Sequence, residues 1–203
     1  MEPRFVFNFE AAKAALVYLA AKDLSAFDKY KACKLLFLAD REHLLRFGRT
    51  ITGDSYDALP YGPAPSQILV LLDGLQAEAQ ERADTGDVQV EELARSIRLT
   101  DAPHAEYRAQ AAPDLDALSE SDIQVLDHVA AEHGNKTFPE LYNLTHGLAA
   151  FKRAWRDDPV HKKFAMRFED FFVEAPEKEE LLREILENQF LDETCSHPTR
   201  ACA

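Results

Sequence analysis

The chain has 203 residues, 46% of them hydrophobic, and its 23 Lys and Arg stand against 36 Asp and Glu for a formal net charge of −13. That apolar content is enough to bury a substantial core in one generous domain. The charge repels phosphate backbones, disfavours nonspecific binding to nucleic acid or to an anionic membrane, and leaves a basic protein as the electrostatic complement.

Residues 1–60 hold nine Lys or Arg and eight Asp or Glu, so the acidic excess lies downstream. The longest apolar run, Ala14 to Ala21 between Lys13 and Lys22, falls far short of the roughly 20 residues of a membrane span. Its place and flanks do not fit a cleavable secretory signal. The three cysteines, Cys33, Cys195 and Cys202, form no disulfide framework, and a reducing cytoplasm is the expected location.

In chain order, Asn8 caps a first helix to about Asp23, with Ala12, Ala15, Leu16, Leu19 and Ala20 on one apolar face. Ser25 and Asp28 have the spacing of a capping box, which places a second helix over about 26–47 with Gly48 ending it. Tyr30, Cys33, Phe37 and Leu44 form one stripe of that helix and Leu35, Leu38 and Leu45 another, the pattern of a helix packed on more than one side. Arg49 to Ser66, with two Gly and three Pro, reads as an irregular loop or short strand. Pro63 and Pro65 suit the entry of a third helix over about 64–82.

Val88 and Val90 alternate with polar residues, and so do Ile97 and Leu99, which predicts an antiparallel hairpin. Residues 102–118 read equally as a linker or as a strand and turn. Capping boxes at Ser119 with Asp122 and at Thr137 with Glu140 open two more helices, the first closed by Gly134. An aromatic anchor follows at Phe151 to Trp155, then a last helix from Pro176 to about Leu191, and residues 192–203 read as a flexible tail. The expected fold is α+β and mainly α: a multi-helix bundle with a small antiparallel β-hairpin, one domain over residues 1–191.

Asp40 and His43 lie three apart on the second helix and Asp54 and Asp57 share a loop, the residue types of a metal-dependent hydrolase or nuclease. No convincing third metal ligand accompanies them, and loop acids commonly make turn bonds. Lys34, Asp40 and Arg41 read better as structural ion-pair formers. Cys195, His197 and Cys202 have zinc-ligand chemistry without a paired CxxC. The helix pair over 119–148 has helix-turn-helix spacing, which would make a DNA-binding autoregulator, but beyond its cap the second helix offers only Asn143 and His146 to a base edge. Neither a metal nor a cofactor is expected, and nucleic acid is disfavoured as a partner.

One stretch is specific as a joint pattern. Lys34-Leu35-Leu36-Phe37-Leu38-Ala39-Asp40-Arg41, His43-Leu44, Gly48-Arg49, Ile51-Thr52-Gly53-Asp54, Tyr56, Ala58-Leu59, Tyr61-Gly62-Pro63 and Ser66 together resemble the SocA-like antitoxin family, also called the Panacea domain. The resemblance implies a non-enzymatic, cytoplasmic antitoxin that binds a cognate toxin encoded next to it. In the SocA type the antitoxin is a proteolytic adaptor that delivers its toxin to ClpX of the ClpXP protease. Lys34, Asp40, Arg41, Gly48, Gly53 and Gly62 are then structural marks of the family. Asp54, Tyr56, Asp57, Tyr61 and Pro63 are the expected toxin-binding loop, since loop aromatics bury area at low entropy cost. Tyr61-Gly62-Pro63 reads equally as a lock on the turn into the third helix.

Overall fold

The computed structural model describes residues 2–79, 86–101 and 105–196, from residue 191 onward by backbone alone. Among them are eight α-helices and five short strands. They are α1 Phe9–Ala20, α2 Lys29–Phe47, β1 Tyr56–Leu59, β2 Gly62–Pro65, α3 Ser66–Ala79, α4 Val88–Ser96, β3 Ile97–Leu99, β4 Tyr107–Ala109, α5 Glu120–His133, α6 Phe138–Gly147, α7 Ala149–Ala154, β5 Phe164–Ala165 and α8 Lys178–Ser196. The α+β, mainly α class expected from the sequence is the observed one.

Helix α2 is the axis of the fold. Every residue from Lys31 to Asp40 is buried, because α1, α3, α5, α6 and β2 pack around it. A helix apolar on most of its circumference is stable only when surrounded in this way. Its start differs from the sequence expectation. Ala26 takes a left-handed φ of 46°, so the helix cannot include it, and Asp28 is the cap, accepting from the Lys31 amide at 2.8 Å. Gly48 ends the helix in the left-handed conformation as expected, at φ 73°.

Strands β1 and β2 form a tight hairpin in which Leu59 pairs with Gly62 across Pro60 and Tyr61. Pro60 presets the turn and Gly62 completes it at φ 98°, a conformation that costs glycine least. Strand β1 is central, because β5 pairs with its other edge through Asp57 to Ala165 and Ala58 to Phe164. Pro63 and Pro65 therefore lie in edge strand β2, where a missing donor is harmless, and the helix begins after them at Ser66.

The second hairpin differs from expectation in its partner. Val88 and Val90 lie in helix α4, capped by Asp87, which accepts from the Gln89 amide at 2.9 Å. Ile97–Leu99 pairs instead with Tyr107–Ala109, so the ambiguous segment contains a strand. The capping boxes of α5 and α6 form as read: Ser119 and Asp122 bond reciprocally, and the Glu140 carboxylate accepts from the Thr137 amide and hydroxyl. Helix α8 continues five residues past its expected end, into what reads as tail. The rest of that tail and the far end of the third helix lie outside the described residues.

Gly53 has the tightest surroundings of the glycines. Its φ is 68° and a Cβ there would lie 1.9 Å from the Val6 carbonyl oxygen, backbone against backbone. Gly53→Ala is expected to cost more than about 2 kcal/mol, read as a lowered midpoint in urea unfolding. A midpoint within error of the parent would show that the N-terminal segment does not pack here.

Candidate functional site

The loop between α2 and the β1–β2 hairpin is built on buried carboxylates. Asp40, wholly buried on α2, accepts from the amides of Ile51 at 2.8 Å and Thr52 at 3.0 Å, from the Tyr56 hydroxyl at 2.6 Å and from the Thr52 hydroxyl. Burial raises its pKa, and these bonds oppose the rise. Asp54 is also buried and accepts from the Gln67 amide at 3.0 Å and the Ile68 amide at 2.9 Å. It thus covers the open amides at the start of α3 from twelve residues upstream, the role of an N-cap supplied at a distance. Burial pushes its carboxyl up to about 6. Asp57 accepts from the Ser66 hydroxyl at 2.6 Å and pairs with Lys163 at 3.0 Å.

His43 faces a different partner set. Its Nδ1–H donates to the Arg49 carbonyl at 2.8 Å, while Nε2 lies 3.0 Å from Asp122 and 3.0 Å from the Ser121 hydroxyl. Arg49 reaches the same Asp122 carboxylate at 2.9 Å. Burial works to raise the Asp122 pKa, but the bonds from His43, Arg49 and Ser119 outweigh it and hold the carboxyl well below the usual range. The cluster fastens α2 to α5.

Asp40, His43, Asp54 and Asp57 therefore point to four separate sets of internal partners instead of converging on one metal or substrate. Among the described residues no group of three potential ligands is placed to hold a metal ion. The candidate zinc set Cys195, His197 and Cys202 lies outside the described side chains. Cys33 is buried, and burial pushes its thiol up to about 12, which suits a small core residue.

Lys34 is buried beneath the hairpin, where its ammonium donates to the Pro63 carbonyl at 2.7 Å and lies 4.8 Å from the centre of the Tyr30 ring. Burial lowers its pKa to about 8. A Cβ on Gly62 would sit 3.0 Å from that nitrogen, from the His146 ring and from the Thr145 hydroxyl, so a side chain there would crowd all three. Arg41 reaches outward to Glu174 at 3.1 Å.

Of the five loop residues expected to contact a partner, Asp54, Tyr56, Asp57 and Pro63 are buried, and Tyr61 at the hairpin tip is 65% exposed. Tyr61 is not alone. Phe138, 49% exposed, lies 6.2 Å from its ring; Tyr142 stacks 6.0 Å beyond; and His146 lies on Tyr142 at 3.6 Å. Residues 138, 142 and 146 repeat at the four-residue spacing of one helix face. That spacing is the sequence signal for this second aromatic row, which the leucine stripe of the same helix obscures. The arrangement does not suit a DNA reader, because α6 presents rings and packs against β2 and α7.

The family model described as antitoxin SocA-like, Panacea domain, matches residues 33–152, from the second turn of α2 through most of α7. No curated protein and no solved structure gives a match.

Two outcomes follow from this geometry. Asp40→Ala leaves four donors facing a cavity and is expected to cost about 3 kcal/mol. Asp40→Asn should cost less, since the Thr52 and Tyr56 hydroxyls can turn to accept; equal losses in chemical denaturation would refute this account. Asp54 governs a pH effect. Its native carboxyl titrates at about 6 against 3.8 for a free one, so the native state holds the proton more tightly. Its contribution is therefore full below about 3.8 and lost as pH rises through 6. Thermal melts between pH 4 and 7 should show a flatter profile for Asp54→Asn than for the parent chain, and parallel profiles would sink the assignment.

Proposed function

The chain belongs to the SocA-like antitoxin family, and from that premise we propose that it neutralises a cognate toxin by direct protein contact, through the face that groups Tyr61, Phe138 and Tyr142. The observation that carries this reading is the exposed ring of Tyr61 at the tip of a rigid hairpin, in contact with a second exposed ring on α6. Aromatic side chains fixed in advance lose little entropy on binding and act as anchors in protein interfaces. Asp54, Tyr56, Asp57 and Pro63 then serve recognition by holding the loop. The adjacent gene supplies the toxin in this proposal, the setting is the cytoplasm, and the bound toxin is delivered to ClpX of the ClpXP protease as in the SocA type. The separation of Asp40, His43, Asp54 and Asp57 speaks against the alternative of a metal-dependent hydrolase.

Coexpression with the product of the adjacent gene tests the binding step. Growth should be rescued by the parent chain and impaired with Tyr61→Ala, whose affinity for the toxin should fall about tenfold or more with an unchanged melting temperature. A harmless neighbour, or toxicity that this chain does not relieve, would overturn the antitoxin reading. Delivery is separable: the toxin's half-life should shorten only when both this chain and ClpXP are present, and an unchanged half-life leaves sequestration.

A further inference from the structure

Residues 151–167 run against the charge of the whole chain. They hold six Lys or Arg and two Asp, a local formal charge of +4 within a total of −13. Three of the six cations are neutralised, Arg153 by Asp170 at 3.0 Å, Lys163 by Asp57 at 3.0 Å and Arg167 by Glu169 at 2.7 Å. The other three, Lys152, Arg156 and Lys162, are exposed, and none has a carboxylate within ion-pair distance among the described residues. Of the two nearby acids, Asp158 is turned into its own loop, accepting from the Val160 amide at 2.7 Å and the His161 amide at 2.9 Å, and its charge acts on Lys162 without forming an ion pair. Asp157 is exposed.

These cations flank the one tryptophan. Trp155, partly exposed, stacks on Phe151 at 5.9 Å and meets Phe164 edge-on at 5.7 Å. The second contact brings residues 162–164 against the end of α7. Lys152 and Arg156 lie three residues before and one after the indole, and Lys162 two residues before Phe164. Ring contacts continue from Phe151 to His146 at 4.3 Å and from there to Tyr142. The patch is therefore linked to the aromatic face of α6 by ring contacts that pass through the buried Phe151.

We infer that this surface docks an acidic polypeptide segment bearing an apolar side chain, its carboxylates reaching Lys152, Arg156 and Lys162 and its apolar group resting on Trp155. The inference rests on the antitoxin reading in that it gives the toxin's contacting segment a chemistry. The acidic total charge points to a basic partner, but at short range the local charge decides, because screening limits exposed charges to about 8 to 10 Å in physiological salt. Screening likewise favours a short acidic segment over nucleic acid: three cations match a few carboxylates, whereas a longer phosphate chain would meet a protein of net charge −13.

Trp155 is the chain's single tryptophan, so its emission reports on the patch without a label. The full chain is titrated with a tryptophan-free peptide alternating Glu with Leu, with the same peptide carrying Lys in place of Glu, and with oligodeoxythymidylate. The acidic peptide should change the emission and bind at least about tenfold more weakly to K152E/R156E/K162E, with K152Q/R156Q/K162Q in between; circular dichroism melts check that both variants fold. No response to the acidic peptide, equal binding by the basic one, tighter binding by the oligonucleotide, or undiminished affinity in the variants would overturn the inference. The peptide result stands apart from the rescue assay: rescue by the parent chain decides the antitoxin reading, and the titration decides this surface.

Discussion

A carboxyl group taken out of water loses several kcal/mol of hydration, and a protein interior holds one only where donors replace that water. Asp40 is such a group. Two amides and two hydroxyls converge on it, and all four come from residues 51–56, so solvating this one side chain requires the loop after α2 to take one path. The constraint runs both ways. Without the loop the carboxyl group is orphaned in the core, and without the carboxyl group the amides of Ile51 and Thr52 lose their acceptor. A buried ion is poor evidence for stability in general, but here it specifies a conformation.

From that fixed point the rest of the signature follows in sequence. The Thr52 carbonyl accepts from Asn8 at 2.8 Å, which draws the N-terminal segment across the loop and leaves no room for a side chain at Gly53. Two residues on, Asp54 covers the first amides of α3, so the direction of that helix is set from the same loop. Tyr56 begins β1 with its hydroxyl on Asp40 and its ring against Phe37 and Phe171, and the hairpin that follows is held down at its far strand by Lys34 on Pro63. Two buried charges one to two turns apart on α2 therefore grip the two ends of one hairpin. The tip between them, Pro60 and Tyr61, is thus held from both strands.

How much of this is legible in the sequence depends on the range of the interaction. Caps at Asn8, Gly48, Ser119 and Thr137 are readable because a cap is a contact between residues three or four apart. The surround of α2 is readable from its two apolar stripes. Val88 and Val90 alternate as a strand would, yet Asp87 caps them and Val90 with Leu93 makes a helical pair, with Val90 close enough to α3 that a Cβ on Gly74 would lie 2.8 Å away. A two-residue strand such as Phe164–Ala165 has no local signature; it exists because β1 has a free edge. The signature residues are visible as a set, but their roles depend on burial. Asp54 and Tyr56 look like loop residues offered to a partner and are instead buried supports of the hairpin whose tip exposes Tyr61.

The same distinction separates total charge from the charge a partner meets. Most of the acidic excess is spread over exposed helix faces, where water and salt screen each group from its neighbours. The cations of residues 151–167 are concentrated instead, because the segment that carries them is folded back on itself by Trp155 and Phe164. Half of those cations are used internally, Lys163 on the Asp57 of β1 itself, so the ion pair that secures the edge of the sheet also sets the boundary of the unneutralised patch. Hairpin tip, α6 aromatic row and indole then lie along one path of ring contacts from Tyr61 to Phe164. The exposed rings of Tyr61 and Phe138 stand at one end of that path and the exposed cations Lys152, Arg156 and Lys162 at the other, a polarity that neither the family signature nor the total charge of the chain discloses.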